Sequence, residues 1–258
     1  MRALLFLLVL IPFVAFAQTP AAAEKEMIGY LNTISKYGNY AGTYDGDKLD
    51  AANTALNNAL IKYGKRADIL AYPFKKLNDK MYVVTSRDGR FRIYSWDLED
   101  GGTMHDFDNV FQYKGKSGKV YTWTRTTDVE GDYGAFYTQV FQTDTASGPI
   151  YLGNSTFIGS TSMGGQSIHA FKINGEKLDP EAKVIKTRSG VTSSIGFGYD
   201  FFSVVDHPER PIRLFFYDEA KKSFRFPIVI EDSKTPQGRV TNRYITYRFD
   251  GKYFVKVS

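Results

Sequence analysis

MYVVTSRDGRFRIYSW, residues 81–96, reads as strand, tight turn and strand. β-branched and aromatic side chains fill both arms, and such side chains suit a pleated, half-buried surface. Between them Asp88-Gly89 is a pair that tolerates the positive φ of a short hairpin turn. The pattern returns toward the C-terminus. KVYTWTR follows Gly115-Lys116-Ser117-Gly118, SIHAFKI precedes Asn174-Gly175, and RYITYRF and KYFVKV flank Asp250-Gly251. GAFYTQVFQT, PIYLGNSTFI, SIGFGYDFFSVV, PIRLFFYD and SFRFPIVIE supply further strands. About a dozen short strands separated by turn signals predict a mainly β, antiparallel domain over residues 80–258. A propeller-like array accounts for the returning strand-turn-strand units, with a sandwich or a barrel as the alternatives. No blade signature and no fixed repeat period accompany the pattern.

Upstream the period changes. AAAEKEMIGYLNTISKYG and DKLDAANTALNNALIKYG predict two helices within a helical segment spanning residues 18–79. In the second, Leu49, Ala52, Leu56, Leu60 and Tyr63 recur at helical spacing, Asp45 or Asp47 caps the start, and Gly64 stands where a C-terminal cap belongs. Its other side carries Asn53, Asn57 and Asn58, so one face alone packs, with the β domain as the natural partner. Before these helices, residues 1–17 carry Arg2, an apolar run from Ala3 to Phe16 and the small-x-small pattern Ala15-Phe16-Ala17. That is the pattern of a secretory signal cleaved before Gln18. A spanning helix needs about 20 apolar residues, and Pro12 interrupts this run.

The chain contains no cysteine. Disulfides, thiolate metal ligands and thiol nucleophiles are thereby excluded. The formal charge is +5, and loss of Arg2 with the signal leaves 5 − 1 = +4. The excess is scattered, as in Lys62-Lys65-Arg66 and Lys221-Lys222-Arg225, whereas nucleic-acid binders gather theirs into a stripe. A Cys-free exported chain suits a bacterial envelope, in the periplasm or outside the cell, with no nucleic-acid partner and no membrane-spanning segment after cleavage.

DLEDGGTMHDFDN, residues 97–109, packs five acidic residues and a histidine into thirteen positions. An EF-hand calcium loop needs oxygens at alternating positions before its glycine, and Asp97, Glu99 and Asp100 precede Gly101 in the wrong phase. A looser site of Asp106, Asp108 and His105 is the alternative to a polar hairpin loop, since carboxylates suit Ca²⁺ or Mg²⁺ and imidazole suits Zn²⁺. In an extended segment Asp106 and Asp108 share one face and His105 the other. A second titratable cluster is Asp206-His207-Pro208-Glu209-Arg210-Pro211, which reads as a rigid connection. There His207 beside carboxylates suits general-base chemistry, and Arg210 suits clamping an anionic group.

His169 shares a strand face with Phe171 and Ile173, which predicts a packing role. GNSTFIGSTSMGGQS, residues 153–167, reads as a flexible loop flanked by strands. Neither Ser155 nor Ser160 has the G-x-S-x-G context of a nucleophile elbow. Tyr94, Trp96, Tyr113, Tyr121, Trp123 and Tyr137 alternate with smaller residues, so they are expected chiefly in a core, with one or two free to stack on a ligand.

These readings predict an exported, non-enzymatic binding or scaffold module for an envelope protein, peptide or glycan, with Trp96, His105 and Arg210 as candidate binding residues. No cofactor is expected, a divalent metal on Asp106 and Asp108 being the alternative. The rival function is a hydrolase of an envelope or extracellular polymer acting through Asp106, Asp108, Asp206 and His207. It requires the loops at 97–109 and 203–211 to meet across one cleft.

Overall fold

A computed structural model describes residues 18–40, 42–125, 134–204 and 213–257. Two helices open it, α1 (Pro20–Tyr37) and α2 (Gly46–Tyr63), followed by the short α3 (Ala67–Ala71). Their ends follow capping chemistry. The Thr19 side chain accepts from Ala22 N with Pro20 in the first turn, Asp45 accepts from Lys48 N, and the Gly38 and Gly64 amides close onto Ile34 O and Leu60 O.

Strands β1 (Tyr82–Thr85), β2 (Phe91–Asp97), β3 (Phe107–Lys114) and β4 (Val120–Thr124) form the first sheet, an antiparallel meander in that order. The turn between β1 and β2 places Gly89 at φ +67°, as the Asp-Gly pair requires. The second sheet has the order β11-β7-β6-β5, with β5 (Phe136–Thr143), β6 (Ile150–Ile158), β7 (Met163–Asn174) and β11 (Ser194–Asp200), and β8 (Lys177–Asp179) pairs with β7. The third has the order β10-β9-β15-β14-β13-β12. Its strands are β9 (Ile185–Thr187), β10 (Gly190–Thr192), β12 (Phe216–Asp218), β13 (Ser223–Ile230), β14 (Arg239–Phe249) and β15 (Phe254–Lys256). All pairings are antiparallel except β15 with β9.

Side-chain alternation along the strands divides the interior into layers. Tyr94, Trp96 and Val110 of the first sheet pack with Met27, Leu31, Ile34, Leu49, Leu56 and Leu60 of the helices. The opposite side chains of that sheet, Phe91, Ile93, Phe111 and Tyr113, meet Tyr137, Tyr151 and Phe171 of the second. Ile150, Leu152, Ile168 and Ala170 then face Phe224, Phe226, Tyr247 and Phe254 of the third. The period of two puts Tyr151 in one core and its neighbours Ile150 and Leu152 in the next. The fold is mainly β and antiparallel with N-terminal helices, and the apolar helix face finds the β region as its partner. These cores run in series from helices to third sheet, and a radial array goes beyond what they describe.

Two sequence readings are corrected. Most of the stretch 153–167 is paired strand, with only residues 159–162 between β6 and β7. Gly153, Gly164 and Gly165 lie in strands, and at two of them a neighbouring ring occupies the space that a side chain would take: Tyr137 lies against Gly153 and Phe157 against Gly165. The strand read through 194–205 ends at Asp200, whose carboxylate accepts from Phe202 N and turns the chain into a single 3₁₀ turn, Phe201–Val204.

Candidate functional site

The acidic stretch is the connection between β2 and β3. Strand pairing ends at Asp97 and Phe107, and the intervening loop is tied down by the helical layer. Asn39 donates from its side chain to the carbonyls of Asp100 (2.6 Å) and Gly101 (3.0 Å), the Tyr40 hydroxyl donates to Gly102 O (2.9 Å), and Asn53 Nδ2 donates to Leu98 O (2.9 Å). On its other side, His105 N donates to Ile158 O of β6, joining the loop to the second sheet.

Within that frame Asp97 and His105 form a pair. Nδ1 of His105 lies 2.5 Å from Oδ2 of Asp97, while Oδ1 of Asp97 accepts from Glu99 N at 2.8 Å. The carboxylate thus fixes the ring with its proton on Nδ1, which leaves Nε2 as the acceptor in neutral histidine. Nε2 has no hydrogen-bond partner among the described residues. The Tyr40 ring stacks on the imidazole with centroids 4.8 Å apart. Burial, with the charge of Asp97 and its acidic neighbours, pushes the Tyr40 phenol up to about 12, so it stays a neutral donor.

Asp97 and His105 border a cavity of about 270 Å³ whose walls are largely aromatic: Tyr82, Trp96, Phe107, Phe136, Phe157, Tyr199 and Phe201. The residues come from the ends of β1, β2, β3, β5, β6, β7 and β11, where the first and second sheets part. Tyr82 stacks on Phe136 at 4.5 Å, and burial raises its phenol above the ordinary value, with Asp97 adding to the shift. Thr156 also borders this cavity, and its hydroxyl is buried with no hydrogen-bond partner. A buried hydroxyl without a partner is costly unless something supplies one.

A second cavity, of about 380 Å³, lies on the other side of Phe107, Phe157, Ile158 and Met163. It is more polar, with Asp108, Asn109, Arg125, Ser155, Ser167 and His169 at its walls. Burial raises the Asp108 carboxyl. Burial, with the charge of Arg125, lowers His169 to about 4, so that this imidazole is neutral.

The sequence candidates separate accordingly. His105 borders the first cavity. Trp96 is buried, donates Nε1–H to Asn53 Oδ1 at 3.0 Å and still borders that cavity. Asp108 belongs to the second cavity and accepts from Asn109 N at 2.6 Å. Asp106 borders neither cavity and lies in hydrogen-bond contact with Asp100. Burial, then the charge of Asp100 and its hydrogen bond, raise the Asp106 carboxyl, and burial raises that of Asp100. Among the described residues no group of three or more metal-ligating side chains is gathered. Asp206, His207 and Arg210 lie outside the described residues, as do residues 1–17; Phe201 lines the first cavity with Asp97 and His105. Of the other aromatics, Tyr94, Tyr113 and Tyr137 are buried in cores, with Tyr121 and Trp123 packed against them.

Sequence reasoning missed Asp97 as the partner of His105, and it missed Tyr82, Thr156 and Phe157. No spacing rule relates positions brought together by three strand ends. No described helix is long and apolar enough to cross a membrane. Comparison of the chain with protein-family models, with curated proteins and with solved structures gives no match.

Proposed function

We propose that this chain is an exported envelope protein that works as a binding module, taking an aromatic or aliphatic side chain of a peptide partner into the cavity beside His105. One observation carries the reading: an aromatic-walled cavity of about 270 Å³ holds an unsatisfied buried hydroxyl, on Thr156, and an oriented imidazole acceptor, on His105. Ligand sites are typically apolar with a few placed polar groups, and roughly 300 Å³ is the lower end of their usual size. That volume suits an anchoring side chain better than a whole sugar chain. Export is supported by the pattern of residues 1–17.

Trp96 provides the test, because the chain has two tryptophans and Trp123→Phe leaves Trp96 as the single reporter at the cavity wall. Titration with indole and with short peptide amides bearing Trp, Phe or Leu is expected to change Trp96 emission saturably and to raise the melting temperature. His105→Ala is expected to weaken binding by about fivefold, the loss of one hydrogen bond of about 1 kcal/mol. If no such ligand shifts emission or melting, the cavity is only a packing defect and the reading fails.

A hydrolytic reading has one observation in its favour: an Asp-oriented imidazole is the arrangement of a general base, and Ser160 borders the same cavity. No hydrogen bond joins Ser160 to His105; the Ser160 hydroxyl oxygen accepts from Ser162 N and Met163 N instead. Turnover of aromatic amino-acid esters that is lost in both His105→Ala and Ser160→Ala would favour this second reading over the first.

A further inference from the structure

The outward face of the third sheet carries a pattern that the cavity does not use. Strand register aligns Val191, Lys186, Val255, Arg248, Ser223 and Asp218 in one row across β10, β9, β15, β14, β13 and β12. A neighbouring row places Thr246, Arg225 and Phe216 side by side. Directly opposed residues share a face, so Lys186, Arg248 and Arg225 stand on the same side. It is the side away from Phe224, Phe226 and Tyr247, which fill the core beneath. This face is open: Phe216 is 41% exposed, Tyr244 37% and Val257 47%.

Arg225 is held in place, and neither it nor Arg248 has an acidic partner among the described residues. The Arg225 guanidinium lies 5.4 Å and 4.8 Å from the ring centroids of Phe216 and Tyr244, over a pair of rings that meet edge-on at 6.0 Å, and these contacts restrict its rotamers. Neither Arg225 nor Arg248 makes an ion pair among the described residues. Asp218, on this face, is engaged by Lys221, through backbone N at 3.0 Å and Nζ at 3.4 Å, and the charge of Lys186 is felt by Asp250 in the turn between β14 and β15. Arg225, Arg248 and Lys221 line a shared groove of about 560 Å³. Lys186 lies two strands from Arg248, about 10 Å at the usual strand spacing. Three cations thus cross the strands at intervals suited to successive charges on one chain.

We infer that this face is a docking surface for a polyanionic glycan, whose phosphate or sulfate groups are received by Arg225, Arg248 and Lys186. Guanidinium binds phosphate and sulfate oxygens through paired N–H donors, and a pre-positioned guanidinium loses less freedom in doing so. The partner is identified by charge complementarity, which does not depend on the first cavity. A nucleic acid is the competing polyanion, disfavoured by the small number of cations and by rings already covered by Arg225.

The test measures binding of dextran sulfate, phosphorylated dextran, neutral dextran and single-stranded DNA to the mature chain at low and physiological salt. Binding to one or both charged dextrans, weakening as salt rises and absent for neutral dextran, is expected; the two charged polymers tell sulfate from phosphate. Arg225→Gln with Arg248→Gln is expected to lower affinity at least tenfold, whereas Lys25→Gln with Lys65→Gln, on the helical side, leaves it unchanged. All four positions are exposed, so folding, checked by thermal melting, is preserved. The inference is overturned if neither charged dextran binds, if the arginine pair has no more effect than the lysine pair, or if DNA binds more tightly than both.

Discussion

Phe157 lies across its cross-strand partner Gly165, with its ring where a β-carbon on Gly165 would stand. The same ring is part of the wall between the two cavities. Gly165→Ala is therefore expected to drive Phe157 out of position, destabilising the chain by about 1–3 kcal/mol as overpacking does and reshaping both cavities together. Phe157→Ala relieves the clash, so the double variant is expected to lose less than the sum of the two singles. Melting curves of the four proteins give the coupling, and strict additivity would show that ring and glycine do not press on each other.

Glu24 joins the helical layer to the segment that leads into β1. It is buried, and its carboxylate accepts from Lys76 N, Leu77 N and the Tyr72 hydroxyl, each at 3.0 Å. Glu24→Ala strands two backbone donors at the start of the 3₁₀ turn Leu77–Asp79. A cost of about 2–3 kcal/mol is expected, each unsatisfied buried group costing about 1–3 kcal/mol. Glu24→Gln keeps an acceptor oxygen and should lose less. Equal losses for both variants in urea unfolding would mean that packing, not hydrogen bonding, makes this position matter.

How much of this was legible in the sequence depends on whether a signal is local. The cap at Gly64 and the turn at Asp88-Gly89 act within a few residues and read correctly, and the N-cap, Asp45, is one of the two residues the sequence offers. The loop reading of 153–167 fails, although its first six residues also stand in PIYLGNSTFI, which reads as a strand; Gly, Ser and Asn are poor strand formers by themselves. Here pairing and burial overrule propensity: Asn154, Ser155, Thr156 and Gln166 are buried in a sheet with a core on each face. His105 drew attention through its acidic neighbours, yet its partner Asp97 lies eight residues away across a hairpin. The cavity walls arrive from strand ends that no periodicity connects.

Asp97→Asn tests the orientation of His105. An amide that keeps its oxygen on Glu99 N turns its NH₂ toward Nδ1, which then becomes the acceptor and moves the ring proton to Nε2. If the cavity reading holds, preference shifts from indole, a donor, toward acetophenone, an acceptor, by about fivefold for a hydrogen bond of about 1 kcal/mol. Trp96 emission in the Trp123→Phe background reads both affinities. An unchanged ratio of the two would remove Nε2 from the ligand's contacts, even if both compounds bind.

His169 carries the pH dependence. Its strand neighbours Gly153 and Ser194 offer no charge, the Tyr137 ring stands edge-on with centroids 6.0 Å apart, and Arg125 and Asp108 line the same cavity. Burial, with the charge of Arg125, lowers the imidazole from 6.5 to about 4 in the folded chain. Between those values the unfolded chain binds a proton that the folded chain refuses. The contribution of His169 is therefore fully present above pH 6.5 and falls as the pH drops toward 4, by up to about 3 kcal/mol for a shift of this size. The raised carboxyls of Asp100, Asp106 and Asp108 act in the opposite sense, since they bind protons more readily when folded. They are common to a His169→Gln variant, so the difference between the two proteins isolates the histidine. That variant is expected to lose less stability than the parent between pH 7 and pH 4 in urea unfolding. Parallel curves for the two proteins would mean that His169 takes its proton in the folded state as readily as in the unfolded chain.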